Sequence, residues 1–145
     1  MNAIDGRLFR DVLGHYPTGV ALVTGIGSNG EPIGMIVGSF TSVSLEPPLV
    51  AFLPTVNSYT FSQLREAPVL AINVLSADQE QICRRFASRI EDKWSGVEWT
   101  LTPGGAPVVG GSVAWIECTV DSITEAGDHY LVMCRVRDLE VVNPV

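Results

Sequence analysis

Gly34-Met-Ile-Val-Gly-Ser-Phe-Thr-Ser-Val-Ser-Leu-Glu-Pro-Pro48 is the stretch on which the reading of this chain turns. An apolar run ends in small and hydroxyl-bearing residues, and a diproline then precedes a second apolar run, Leu49-Val-Ala-Phe-Leu53. Backbone without large side chains lets a flat ligand approach closely. Ser39, Thr41, Ser42 and Ser44 add short, adjustable hydrogen bonds. Where a strand exits into a loop, the same residues also satisfy their own backbone. On residue types alone the plain loop exit is the better reading.

The flanking segments read as strands with a few short helices. Upstream, residues 19–24 and 32–37 are apolar runs separated by Gly25-Ile-Gly-Ser-Asn-Gly30, so an Asn-Gly turn and a hairpin are expected. Gly25, Gly27 and Gly30 have the spacing of a phosphate loop, but no helical pattern follows them. Residues 5–15 predict a helix with Leu8, Phe9, Val12 and Leu13 on one face. Downstream, residues 49–53 form a strand bounded by prolines, and residues 58–66 a helix capped by Asn57 or Ser58 with Phe61 and Leu64 inward. Residues 69–75 are the next strand. Ser76-Ala-Asp-Gln79 reads as a capping box opening a helix to about Ser88, with Ile82, Cys83 and Phe86 inward. Residues 89–111 read as one long connection, and residues 112–123 and 129–139 as two strands joined at Glu125-Ala-Gly-Asp128. Many strands with two or three peripheral helices predict a closed or nearly closed β-barrel rather than a doubly wound sheet.

Composition sets the outer bounds. The chain has 145 residues, enough for one domain with a real core, and 46% of them are hydrophobic. Nine basic against sixteen acidic residues give a net charge of −7, which argues against nucleic acid as a partner. No apolar run reaches membrane-spanning length and the N-terminus has no signal-peptide pattern, so a cytoplasmic location without a membrane role is expected. Cys83, Cys118 and Cys134 lie far apart among apolar neighbours and read as reduced, buried thiols. His15 and His129 are too isolated to suggest a metal cluster, and no metal site is expected. A serine-hydrolase elbow is missing, and paired carboxylates stand out nowhere.

Three local features could carry chemistry. Asn57-Ser58-Tyr59-Thr60 stands at a helix start, where free N–H groups either receive an anion or are merely capped. Arg84, Arg85, Arg89 and Lys93 place four of nine basic residues within ten positions, either neutralising phosphates or forming a solvated face with Glu91 and Asp92. In Gly127-Asp-His129 the imidazole would project from a strand start, with Asp128 available to bias its tautomer. A solvent-facing turn histidine is the plainer alternative. His15, Tyr16 and Thr18 read as packing and turn residues, and Trp94, Trp99 and Trp115 as core or dimer contacts.

Ser39-Phe-Thr-Ser-Val-Ser-Leu-Glu-Pro-Pro-Leu49, taken with Gly127-Asp-His129, resembles the flavin reductase-like family, from Phe9 to about Asp138. The likeness is greatest to small reductase components of two-component flavin-dependent monooxygenases, particularly actinobacterial ones. It implies a mainly β fold, the FMN-binding split barrel, and an NAD(P)H-dependent reduction of FMN or FAD for a separate oxygenase. It implies a flavin site of Val37, Gly38, Ser39, Phe40 and Ser42 at the ring, with Asn57, Ser58, Thr60 and Lys93 at the phosphate. Phe86, Ala87 and Ser88 would lie nearby, His129 would position the nicotinamide of NADH or NADPH, and a homodimer would complete the site. Ile36 and Gly38 depart from the polar residues of many relatives. The chain ends at Asn143-Pro144-Val145, where relatives continue into a further strand and tail. The other readings are a flavin-binding split barrel without turnover, a purely structural dimeric barrel, and a pyridoxamine-phosphate-oxidase-like barrel.

Overall fold

A computed structural model describes residues 3–15 and 19–144. Tyr16 and Thr18 lie outside the described residues. Helix α1 (Gly6–Gly14) is followed by β1 (Ala21–Ile26), β2 (Pro32–Val37), β3 (Thr41–Ser44) and β4 (Leu49–Phe52). Helix α2 (Tyr59–Leu64), β5 (Leu70–Val74), a 3-10 turn (Ala77–Gln79) and helix α3 (Glu80–Ala87) come next. Two short strands, β6 (Trp99–Leu101) and β7 (Pro107–Val109), precede the long pair β8 (Ala114–Ala126) and β9 (His129–Val141).

Seven strands form one antiparallel sheet in the order β2-β1-β5-β8-β9-β4-β3. The sheet curls on itself. One core cluster draws Val23 from β1, Val37 from β2 and Leu70 and Ile72 from β5, but also Val50 and Phe52 from β4 near the opposite edge. Register shifts at Glu117/Cys118 and Val120/Ser122 supply the local bends in β8–β9. No ladder joins β2 to β3 among the described residues, so the barrel is split along that seam. Both faces of β1 are buried: Val23 enters the barrel, whereas Leu22 joins Phe86 and Val109 beneath α3. This explains why β1 reads as a continuous apolar run rather than an alternating one.

The hairpins follow from their turn residues. Gly30 adopts φ +82° between β1 and β2, and Gly27 N–H donates to the Glu31 carbonyl at 2.8 Å. Gly127 has φ +66° and stands first in a two-residue turn that pairs Ala126 with His129, the II′ signature. At the start of the 3-10 turn, Ser76 N–H donates to Gln79 Oε1 at 2.8 Å, as the capping-box spacing predicts.

Three expectations need correction. Residues 41–44 are an edge strand, β3, rather than loop, because their backbone pairs with β4 despite a bulge between Ser42 and Ser44. The span 89–111 contains the β6–β7 hairpin, held to the barrel by buried polar groups that leave no periodic apolar signal. Asn73 Oδ1 accepts from Val109 N–H at 2.8 Å, Thr24 Oγ1 donates to the Pro107 carbonyl at 2.5 Å, and Gln79 Nε2 donates to the Gly110 carbonyl at 2.9 Å. Buried Glu117 accepts from Thr102 Oγ1 at 2.5 Å and Gly104 N–H at 2.6 Å. Lastly, the apolar face of α1 lies on the surface, with Leu8, Phe9 and Val12 more than half exposed at 59%, 57% and 57%.

All three cysteines are free. Cys118 and Cys134 are fully buried, and Cys83 is half-buried. A hydrogen bond with Cys134 and burial push the Cys118 thiol far up, which keeps it protonated and unreactive.

Candidate functional site

Three chain segments meet at one end of β4. Ser39 Oγ accepts from Leu53 N–H at 2.9 Å, so the exit of β2 is tied to the residue following β4. Tyr130 N–H donates to the Pro54 carbonyl at 2.9 Å, and Val56 N–H donates to the Asp128 carbonyl at 3.0 Å. A bridge between Thr55 and His129 completes the join. The structure thus brings residues 38–40, residues 55–58 and His129 together from three distant parts of the chain.

Within this assembly His129 is half-exposed, and its Nδ1 donates to Asp128 Oδ1 at 2.8 Å. That hydrogen bond first, and the charge of the imidazolium second, hold the Asp128 carboxyl below the ordinary aspartate range. With Nδ1–H so engaged, Nε2 is the acceptor nitrogen of the neutral ring. Ser58 caps α2, its Oγ accepting from Phe61 N–H at 3.0 Å, and retains its own O–H for donation. Asn57 beside it is exposed. Phe61 packs edge-on to Phe52, with ring centroids 6.0 Å apart, and lies 5.9 Å from Tyr130, which anchors α2 against the end of β9.

A groove of about 940 Å³ runs between α2 and the loop after α3, and Tyr59 and Thr60, next in sequence to Ser58, line it. Its floor is the start of β2, with Pro32, Ile33 and Gly34. One wall is the outer face of α2 (Tyr59, Thr60, Gln63 and Glu66), and the other is residues 90–94. Of the sequence-derived candidates, Thr60 and Lys93 line this groove. Lys93 Nζ donates to the Phe86 carbonyl at 3.2 Å, which holds its ammonium at the wall.

The remaining candidates are placed as follows. Val37 is buried at the end of β2, Gly38 is exposed, and Phe40 packs on the core. Ser42 lies exposed on β3. Phe86 is 2% exposed, its ring 4.9 Å from that of Trp94, so it supports the groove wall from behind. Ala87 is exposed, and Ser88 ends α3 with its Oγ donating to the Arg85 carbonyl at 2.7 Å.

The basic cluster is divided in space. Arg84 pairs with Glu80 at 2.6 Å on the surface, a contact of little energetic weight. Arg85 donates to the carbonyls of Lys93, Asp92 and Ser95 at 2.7, 3.2 and 2.8 Å. It shapes the loop that presents Lys93 rather than meeting a ligand.

Sequence reasoning missed Tyr59, Gln63, Glu66 and Trp94 as groove residues. Positions 59, 63 and 66 do stand at helical spacing, but the inward pair Phe61 and Leu64 drew the reading of α2. His15 lies on the surface beyond α1, with Nδ1 2.7 Å from the Asp11 carbonyl.

A curled, split antiparallel barrel with a cofactor-sized groove beside its edge strand defines the class of protein. Residues 13–145 match the flavin reductase like domain, and the chain belongs to that family. It is 52% identical to a flavin reductase of Pseudomonas putida over 97% of this chain and 82% of that protein. It is 42% identical to the reductase subunit HsaB of a flavin-dependent monooxygenase from Rhodococcus jostii, over 97% of this chain and 72% of that one. The likeness is therefore not confined to actinobacterial relatives. An NADH:FAD oxidoreductase of Streptomyces globisporus, solved with NAD and FAD fragments, superposes with a TM-score of 0.88. It is 38% identical, over 98% of this chain and 87% of that one.

Proposed function

We propose that this protein is an NAD(P)H-dependent flavin reductase that passes reduced FMN or FAD to a separate flavin-dependent oxygenase. The observation that carries the reading is the meeting of residues 38–40, residues 55–58 and His129 beside the start of α2, in a chain of this family. The residues fit a flavin phosphate. The cavity lies at the upper end of the roughly 300–1,000 Å³ usual for cofactor and ligand pockets. Thr60 and Lys93 face it with a hydroxyl and an ammonium, and Ser58 keeps an O–H to donate.

Bound flavin supplies the hydride-accepting chemistry, so no protein nucleophile is required. Ser58, Thr60, Asn57 and Lys93 hold the phosphate, while Gly38, with no side chain, admits the ring beside Val37, Ser39, Phe40 and Ser42. Phe86 backs the wall, and Ala87 and Ser88 end the helix behind it. His129 Nε2 accepts from the carboxamide N–H of a nicotinamide and so orients the donor; Asp128 fixes the tautomer that allows it. His129 transfers no proton in this scheme.

The reading includes a homodimer, in which the exposed face of α1 is covered by a second copy, supported by the apolar surface of Leu8, Phe9, Val12 and Leu13. It also includes work in the cytoplasm, in keeping with three free thiols. No helix among the described residues is long and apolar enough to cross a membrane.

Anaerobic stopped-flow mixing of the protein with FMN or FAD and NADH or NADPH tests the function. Rapid protein-dependent loss of the oxidised flavin absorbance is expected. In His129→Ala the nicotinamide KM should rise by roughly tenfold, the equivalent of one lost hydrogen bond, with flavin affinity unchanged. Flavin binding without reduction would overturn the assignment in favour of a binding protein without turnover.

A further inference from the structure

Lys93 stands in an unfavourable setting for attracting a phosphate. Among the described residues of the groove wall are four carboxylates, Glu31, Glu66, Glu91 and Asp92, and the last two directly precede the lysine. Coulomb energy falls with distance, so an anion is held there only while the ammonium is nearer to it than Glu91 and Asp92 are. The conformation of residues 90–94 therefore decides whether this wall attracts a phosphate or repels one.

Two sets of contacts fix that conformation. The first comes from α3: Arg85 donates to the carbonyls of Asp92, Lys93 and Ser95, and the Phe86 carbonyl accepts from Lys93 Nζ at 3.2 Å. The bond to Phe86 occupies one of the three ammonium donors and leaves two for a ligand. The second set comes from the β6–β7 hairpin. Trp94, next after Lys93 and itself in the groove wall, meets both Phe86 and Trp99 edge to face, with ring centroids 4.9 and 5.8 Å away. Phe86 has no room to retreat, because its ring lies 3.0 Å from where a methyl on Gly34 would sit. Trp99 opens β6, in a hairpin pinned to the barrel by the buried side chains of Asn73, Gln79 and Glu117. Trp94 is thus tied to two parts of the molecule that are themselves held in place.

We infer that Trp99 is a positioning residue for the flavin phosphate. Acting through Trp94, it keeps the ammonium of Lys93, rather than the carboxylates of Glu91 and Asp92, turned toward the phosphate. The protein therefore prefers a phosphorylated flavin to riboflavin. Trp99 is no part of the groove wall and acts without touching the ligand. This rests on the reductase reading, which places the phosphate at Thr60 and Lys93.

Equilibrium titration of the whole chain with FMN and with riboflavin is the test, in wild type, Trp99→Ala, Trp99→Phe and Lys93→Met. The wild type should favour FMN. Trp99→Ala should weaken FMN binding by roughly three- to tenfold, the worth of one aromatic pair, with riboflavin affinity unchanged. Trp99→Leu, which keeps apolar volume without the ring, replaces it if the alanine variant does not fold. Trp99→Phe leaves Trp94 an aromatic partner and should restore most of the preference. Added to Lys93→Met, Trp99→Ala should cost FMN nothing further, because the two changes act on one contact. Equal weakening of both flavins in a folded Trp99 variant, or unchanged FMN affinity, would overturn the inference and leave the phosphate at Lys93. An FMN affinity indifferent to Lys93→Met would remove the phosphate from this wall, and the inference with it. Binding of neither flavin by the wild type would sink the reductase reading itself.

Discussion

His129 shows how little one residue says before its neighbours are known. In the sequence it is a turn histidine beside an aspartate, and solvent contact explains it adequately. The fold sets it against Thr55, beside the start of α2, and gives Nδ1 a fixed partner in Asp128. The depressed Asp128 carboxyl has a definite sign. The contact favours the folded form at pH above the ordinary aspartate range and is lost as pH falls through the lowered value. The pair is exposed, so orientation of the ring is affected more than stability. Asp128→Asn should leave the thermal midpoint unchanged within error, while the His129 ring resonances lose their acid-side chemical-shift step. An unaltered titration in the variant would show that the contact does not hold in solution. Lys93 was legible as a charge, but its placement depends on Arg85, which gathers three carbonyls of the loop carrying it.

At the next level, elements with an apolar period were readable and those held by polar contacts were not. The runs that became β1, β4 and β5 are buried almost throughout, and those that became β2, β8 and β9 bury part of their length, so apolar composition marks them. The β6–β7 hairpin is different. Asn73, Gln79 and Glu117 hold it through single side chains from β5, the 3-10 turn and β8, and nothing in residues 89–111 announces those partners. Asn73 is the centre of this attachment, donating to the Leu22 carbonyl and Thr24 Oγ1 at 3.1 Å each and accepting from Val109. Asn73→Ala would leave several buried groups unpaired and should cost about 2–4 kcal/mol, read from urea denaturation. A loss below about 1 kcal/mol would mean that apolar packing, not this network, docks the hairpin.

Across the whole molecule, α1 is an element whose apolar face the described residues leave uncovered. Its sequence has the periodicity of a core helix, yet Leu8, Phe9, Val12 and Leu13 are all at least half exposed. The proposed dimer is expected to dissociate in sedimentation equilibrium when two of them are replaced, Leu8→Asp with Val12→Asp, while the circular dichroism of the barrel persists. A variant pair that still sediments as dimer would place the interface elsewhere. Local patterning was sufficient to establish a mainly β fold, its hairpins, the capped helix after β4 and the identity of the polar segments, because strand period, turn glycines and caps act over a few residues. The curl that splits the sheet between β2 and β3, the convergence of residues 38–40 with Asn57, Ser58 and His129, the outward turn of α1 and the groove beside β2 emerged only from the folded chain. Each depends on contacts between residues tens of positions apart, and these arise from packing rather than from local propensity.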